Sequence, residues 1–348
     1  MIKYLGSKRT LVPALSALAD ASGARTSLDL FTGTTRVAQA FKTLGQTVTA
    51  VDLASYSHVI AKTYIELDGS TVNKTELADA IAELNALPGE AGYFTKTFCE
   101  EARFFQPKNG ERVDAIRNHI ETTYADTWLY YPLLCELMLS ADRVDSTTGQ
   151  QMAFLKQWAP RSFGDLKLRI PKLLAGSGLA IQGDAIQVVA DLEPVDLAYL
   201  DPPYNQHRYY GNYHVWETLI RWDAPETYGI ANKRLDVRDA SNKTSFNSKK
   251  EMPNSLAQVI KNLNAETMLL SYNNESWLDR DELIAMCERF DSVEVLDFDF
   301  KRYVGAKIGI YNKKGQKVGA PTHHTNIERI VVAGPREIVR RMKSVIAK

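Results

Sequence analysis

The stretch TSLDLFTGTTRVAQAFKTLGQTVTAVD, residues 26–52, constrains the fold more than any other part of the chain. Ser27 to Phe31 and Val48 to Val51 read as buried strands, with helical TTRVAQAFKTL between them. A helical crossover returns the chain in the same direction, so the two strands lie parallel. LAIQG near 180, VDLAYL at 195–200 and TMLLSY at 267–272 extend the pattern, and LAQVIKNLNA is helical before Glu266. The expected fold class is α/β, a doubly wound sheet.

Two segments break the alternation. Residues 90–165 are helical, aromatic and polar, with RVDAIRNHIETTY, WLYYPLLCELMLSADRV and MAFLKQWAP in succession, and read as an inserted lobe. Residues 224–253 are rich in Lys, Arg, Asn and Ser and read as a long functional loop. The expected organisation is therefore a core of 1–89 and 166–348 with 90–165 inserted; 348 residues suit one large domain or two.

Charge and cysteine content exclude some classes. Forty-two Lys and Arg balance forty-two Asp and Glu, so net charge gives no argument for a polyanionic partner. Locally the balance shifts: 301–320 holds Lys301, Arg302, Lys307, Lys313, Lys314 and Lys317 with no acid, and 233–250 carries six cations against two aspartates. Such loops suit phosphate contacts or are simply solvated. Cys99, Cys135 and Cys287 are scattered, without metal-ligand spacing, which fits a reducing compartment. MIKYLGSKRT lacks a secretory core and no apolar run is long enough to span a membrane, so the expected location is cytoplasmic, with no membrane partner and no metal.

The turn after the first strand is of nucleotide-binding type but incomplete. Gly33 is present, whereas Thr35 stands where a second glycine would complete GxG, and no GxxxxGK[ST] loop occurs. A cofactor without phosphates suits it better than NAD or ATP. Asp52, closing the next strand, can accept hydrogen bonds from ribose hydroxyls or cap the following helix. Asp184, in IQGDAIQVV, carries the same two readings, as a reader of the cofactor's base or an N-cap.

VDLAYL ends abruptly in Asp201-Pro202-Pro203-Tyr204, because proline cannot continue strand pairing. This tetrapeptide resembles the DPPY motif of S-adenosylmethionine-dependent amino-methyltransferases. DLFTGT, residues 29–34, resembles their FxGxG motif, and KYLGSKRTL, residues 3–11, resembles the N-terminal cofactor segment of the D12 class, the Dam-like DNA adenine-N6 methyltransferases. RVDAIRNHI, ADRVDSTTG, NYHVWET, LSYNNE and TNIERIVV look like the same family, so the resemblance spans nearly the whole chain. Asp145 and Ser146 are more acidic and polar than that pattern suggests.

The resemblance implies a Rossmann-like S-adenosylmethionine-dependent methyltransferase sheet with a helical target-recognition insertion. It implies S-adenosyl-L-methionine as cofactor, double-stranded DNA as partner, and base flipping within a restriction-modification system or as an orphan enzyme. A cognate restriction endonuclease is the implied companion, in a prokaryotic or phage-type setting. Asp201, Pro202, Pro203 and Tyr204 become the catalytic candidates; Tyr4, Lys8, Asp29, Phe31, Gly33, Asp52, Asp184 and Asp201 become the cofactor candidates.

Those residue types suit the chemistry. The lone pair of adenine N6 is delocalised into the ring, and acceptors on its two protons localise it. The Asp201 carboxylate and the Pro202 carbonyl can be those acceptors, and Tyr204 offers a stacking face. Cytosine N4 is disfavoured because that group more often carries Ser in place of Asp201, and C5 methylation would need a Pro-Cys pair. Adenine in RNA, and a DNA-binding module without turnover, stay open. His207, His214, His323 and His324 read as polar surface or phosphate contacts, and Tyr209, Tyr210 and Tyr213 as packing.

Overall fold

Seven strands make one sheet: β1 (Thr26–Asp29), β2 (Thr47–Asp52), β3 (Leu179–Gln182), β4 (Val195–Leu200), β5 (Ala265–Asn273), β6 (Ser292–Lys301) and β7 (Thr325–Gly334). Their order is β3-β2-β1-β4-β5-β7-β6. The pairs β1–β2, β2–β3 and β4–β5 are parallel, whereas β7 runs antiparallel to both β5 and β6. The parallel part is the expected Rossmann-like sheet. The β6–β7 pair was not among the expected strands, although SVEVLDFDFK carries a partial two-residue alternation.

The computed structural model describes residues 2–203, 209–239, 242–274, 276–301, 310–311, 317–319 and 325–346. They fall into two units, Met1–Ser16 with Arg25–Val188 and His207–Thr244, and Ala17–Ala24 with Val189–Gln206 and Ser245–Lys348. Among the described residues no helix is long and apolar enough to cross a membrane.

The first unit contains α1 (Arg36–Thr43), α2 (Ser55–Ala61), α3 (Lys74–Ala86), α4 (Pro107–Tyr124), α5 (Tyr130–Arg143) and α6 (His214–Arg221). One apolar core joins α2, α3 and α6 to the helices of 90–165, through side chains such as Ile60, Leu84, Phe98, Ile116, Leu137 and Trp216. Sequence explains the joins. In RVDAIRNHI, Asp114 and Arg117 lie three residues apart on one buried helix face. The Asp114 carboxylate accepts from the Gly92, Phe94 and Thr95 amides at 2.8–3.0 Å, satisfying a helix start that has no partners of its own. Arg117 donates from Nε to the Leu219 carbonyl and from Nη2 to that of Ile220, both at 3.0 Å, capping the carboxyl end of α6.

The acidic departure in ADRVDSTTG has a structural cause. Asp145 is 1% exposed and its Oδ1 accepts from Arg161 Nε at 2.8 Å and Nη2 at 2.6 Å, while Lys3 Nζ lies 3.3 Å away. Ser146 donates its amide to Phe104 O at 2.7 Å and accepts the Ala159 amide on Oγ at 3.0 Å. The loop is thereby pinned to both of its neighbours.

In the second unit two family-like stretches face each other. Glu328 of TNIERIVV sits opposite Asn273 of LSYNNE in the β7–β5 register. Its carboxylate, 3% exposed, accepts from Ser271 Oγ at 2.9 Å and Asn273 Nδ2 at 3.3 Å.

Candidate active site

Some candidate residues lie on the first unit and others on the second, and each set follows its own strand. In the first unit β1 ends at Asp29, so Leu30 and Phe31 belong to the turn and not to the expected strand; the chain then turns sharply before α1. Asp29 is 1% exposed and holds the turn from beneath, its Oδ2 accepting from Thr32 Oγ1 at 2.9 Å and the Ala38 amide at 3.1 Å. Phe31 is half-buried in the turn.

Gly33 has φ +51°, and a Cβ there would stand 3.1 Å from Tyr4 Cε1, so both its conformation and its neighbour require glycine. Thr35 also adopts the left-handed conformation, at φ 59° and ψ 19°. A branched residue in that region costs about 1–2 kcal/mol. Local bonds offset it: the Thr35 amide donates to Thr32 O at 2.7 Å, and Gln39 Nε2 donates to Thr35 Oγ1 at 2.8 Å. The missing second glycine therefore changes what stabilises the turn and leaves a glycine-like backbone.

Asp52, at the carboxyl end of β2, is half-buried. Its Oδ2 accepts the Gly33 amide at 2.8 Å and its Oδ1 the Ala54 amide at 2.9 Å. Burial pushes its pKa above the usual aspartate value, against the downward pull of these donors and of Ser57. With the Leu53 amide also donating to it, the carboxylate is the acceptor around which this strand end is organised. Asp184, beyond β3, accepts the Ile186 amide on Oδ1 at 2.8 Å, the capping geometry; the Gly183 amide donates to Asp52 O at 3.0 Å.

Sequence reasoning missed what holds Tyr4. Its ring stacks on Tyr213 at 4.8 Å and on Tyr209 at 5.4 Å, with Tyr56 edge-on at 6.4 Å. The Leu5 amide donates to the Tyr213 hydroxyl at 2.6 Å. Burial, then the neighbouring Tyr56 and Asp52, holds Tyr4 far above the ordinary phenol pKa, so it stays neutral. The recurrence of Tyr at 4, 56, 209 and 213 was the available signal, though residues that far apart in sequence announce no contact. Lys8 is 6% exposed in a short turn that packs against α1. Arg36 opens α1, and burial, with Arg9 nearby, lowers its pKa.

In the second unit β4 stops at Leu200, paired with Leu270 of β5, and Asp201 follows at once. Asp201 and Pro203 are half-buried and Pro202 is buried. Tyr204 lies outside the described residues, as do His207, His323, His324 and most of the basic stretch 301–320.

The expectation of a surface role for His214 is overturned. It is fully buried, its Nε2 lies 2.9 Å from Gln151 O, and burial pushes its pKa down to about 3, so the ring is neutral and structural. Gln151 binds the same helix start again, its Oε1 accepting the Val215 amide at 2.9 Å. Within 224–253, Arg234 is not a free cation either, being held by Asp223 and Asp236. All three cysteines are buried, with Cys135 and Cys287 pushed up to about 12, so none offers a thiolate at neutral pH.

Residues 4–286 match the family of D12 class N6 adenine-specific DNA methyltransferases. The chain is similar to the Type II methyltransferase M.NlaIII of Neisseria lactamica, at 29% identity over 328 residues covering 90% of this chain and 96% of that protein. It is also similar to the modification methylase StsI of Streptococcus sanguinis, at 30% over 315 residues, and to the Type II methyltransferase M.FokI of Planomicrobium okeanokoites, at 29% over 312 residues. These matches cover 85% and 81% of this chain but only 47% and 46% of the relatives, about half of their length.

Proposed function

The chain belongs to the D12 class of N6 adenine-specific DNA methyltransferases, and from that premise we propose how its residues methylate a specific site. The turn after β1 holds S-adenosylmethionine, and the end of β4 holds an adenine swung out of duplex DNA. The observation that carries this reading is the placement of Asp201-Pro202-Pro203 directly at the carboxyl end of a parallel strand, where open α/β sheets take their ligands.

The cofactor half fits a nucleoside that carries no phosphate. Gly33 brings backbone close, the Asp52 carboxylate at the end of β2 is our candidate acceptor for ribose hydroxyls, and Asp184 stands at the next strand end for the base. Tyr4 covers the turn, while Lys8 and Arg36 supply positive charge for the donor's carboxylate. Asp29 and Phe31 act through the turn that they build. S-adenosylmethionine supplies an electrophilic methyl group on a sulfonium.

At the other strand end, the Asp201 carboxylate and the Pro202 carbonyl accept the two N6 protons and localise the nitrogen lone pair. Pro203 fixes the backbone and Tyr204 stacks on the base. When bound, the sulfonium would give its methyl group to N6 and leave as a thioether, and the Asp201 carboxylate would take the proton that N6 loses. Positioning contributes much of the acceleration. We assign target reading to outward residues of 90–165, since Asp114 and Arg117 are committed to the core. A cognate endonuclease is the companion expected of a restriction-modification enzyme, and the cytoplasm its compartment.

The test is methyl transfer from labelled S-adenosylmethionine to unmethylated genomic DNA, with structured RNA in parallel and the nucleosides resolved by mass spectrometry. N6-methyldeoxyadenosine is expected. Label in RNA alone, or on cytosine, would overturn the assignment.

A further inference from the structure

Residues 2–7 form no helix or strand, so no backbone ladder fixes Tyr4 and side chains must do so. Ile2 anchors the stretch in the apolar core, at 2% exposed. Lys3 is held by Asp142, in the last turn of α5. The Lys3 amide donates to both Asp142 carboxylate oxygens at 3.2 Å. Its Nζ donates to Asp142 Oδ2 at 2.8 Å and to the Asp142 carbonyl, and lies 3.3 Å from Asp145 Oδ1. Asp145 also holds Arg161, so two cations meet two buried acids.

The residue after Lys3 is Tyr4, whose ring a Cβ at Gly33 would meet at 3.1 Å. Its stacking partners, Tyr209 and Tyr213, are fixed from the same part of the inserted segment. The Gln151 amide donates to Asn212 O at 2.8 Å, between the two tyrosines in sequence. Asp142 therefore grips the residue before Tyr4, and Gln151 grips the backbone that carries its partners. All of these residues belong to the first unit. Asp142 and Gln151 lie within 90–165, yet at 6% and 2% exposed neither is placed to read DNA.

We propose that Asp142 is a positioning residue for cofactor binding: by fixing Lys3 it holds Tyr4 against the turn at Gly33. The proposal rests on the reading of that turn as the S-adenosylmethionine site. A side chain already in its bound position loses little freedom when the cofactor arrives, so a firm hold on Tyr4 raises affinity. Without the Asp142 carboxylate, Lys3 keeps only Asp145, which Arg161 already occupies at 2.6 Å. The Lys3 side chain, 30% exposed, then turns to water, and Tyr4 is left to its ring contacts alone.

The test is a double-mutant cycle in the full chain, read by calorimetry with S-adenosylmethionine and by transfer to genomic DNA. Asp142→Asn and Lys3→Met should each weaken cofactor binding by about 10-fold, with kcat at saturating cofactor within about 3-fold of the unaltered protein. Tyr4→Ala should weaken binding as well. Adding Asp142→Asn to Tyr4→Ala should cost less than about 3-fold more, because the tyrosine through which the aspartate acts is gone. Asp142 is buried, so if Asp142→Asn does not fold, Lys3→Met carries the same cycle with Tyr4→Ala. Unchanged affinity in the folded single variants, or a full second loss on the Tyr4→Ala background, would overturn the positioning role and leave the functional reading standing. An unaltered protein that does not bind S-adenosylmethionine would overturn that reading and this inference with it.

Discussion

The turn after β1 and the end of β4 reach rigidity by opposite means. From Leu30 to Thr35 the backbone is held by side chains: Asp29 beneath, Asp52 on the Gly33 amide, and Gln39 on the strained Thr35. At Asp201–Pro203 the prolines themselves fix the dihedrals, and the strand simply stops. The difference teaches where each region tolerates change. A turn built from several hydrogen bonds can lose one and persist, whereas the acceptor pair we propose at the strand end would have no substitute. On this account the first region governs cofactor affinity and the second governs transfer.

The sharpest division comes from Asp201→Ala. Transfer should fall by roughly 10²–10³-fold or more, the scale for removing one polar group that acts on the reacting atoms, with cofactor affinity nearly unchanged in calorimetry. Tyr204→Ala should lower kcat by about 10- to 100-fold through lost base stacking, again with little change in cofactor affinity. Selective loss of cofactor binding would instead move Tyr204 to the other side of the comparison.

On the cofactor side, Gly33→Ala meets Tyr4 at 3.1 Å with φ at +51°, and should weaken cofactor binding by about 10-fold, since a strained position of this kind costs about 1–3 kcal/mol. Asp52 gives a pH signature. Its folded pKa is raised by burial, so ionised Asp52 costs the fold stability above that pKa, and the cost is relieved as pH falls toward the unfolded value. Cofactor binding runs the other way, because donors favour the carboxylate. Affinity should be level at neutral pH and decline as the acid protonates, at a higher pH than for an ordinary aspartate. Asp52→Asn should flatten that profile in a titration of affinity against pH. The smallest effect belongs to Thr35→Gly, where relief of the left-handed strain opposes loss of the Gln39 bond, leaving thermal stability within about 1 kcal/mol.

Much of this was legible in sequence because it is local. VDLAYL reads as a strand from its apolar run, and it forms β4 over the same residues. DPPY marks its end without any tertiary information. Asp184 could be read as an N-cap from the short strand before it, and it caps. What escaped is set by contacts between distant residues. His214 looked like a surface group because nothing in NYHVWET reveals that Gln151, 63 positions earlier, receives it. Arg234 counted as a loop cation until Asp223 and Asp236 were seen to hold it. The four-tyrosine cluster was invisible for the same reason, and the strain at Thr35 showed only as a missing glycine.

The most direct test of the divided labour is a crossed pair of measurements: cofactor affinity by calorimetry and single-turnover transfer to DNA, each for Asp201→Ala and Asp52→Asn. The account predicts that Asp201→Ala binds S-adenosylmethionine as the unaltered protein does and transfers the methyl group roughly 10²–10³-fold more slowly or worse. It predicts that Asp52→Asn binds more weakly and still transfers at saturating cofactor. Transfer retained by Asp201→Ala, or affinity lost by it and kept by Asp52→Asn, would contradict the account.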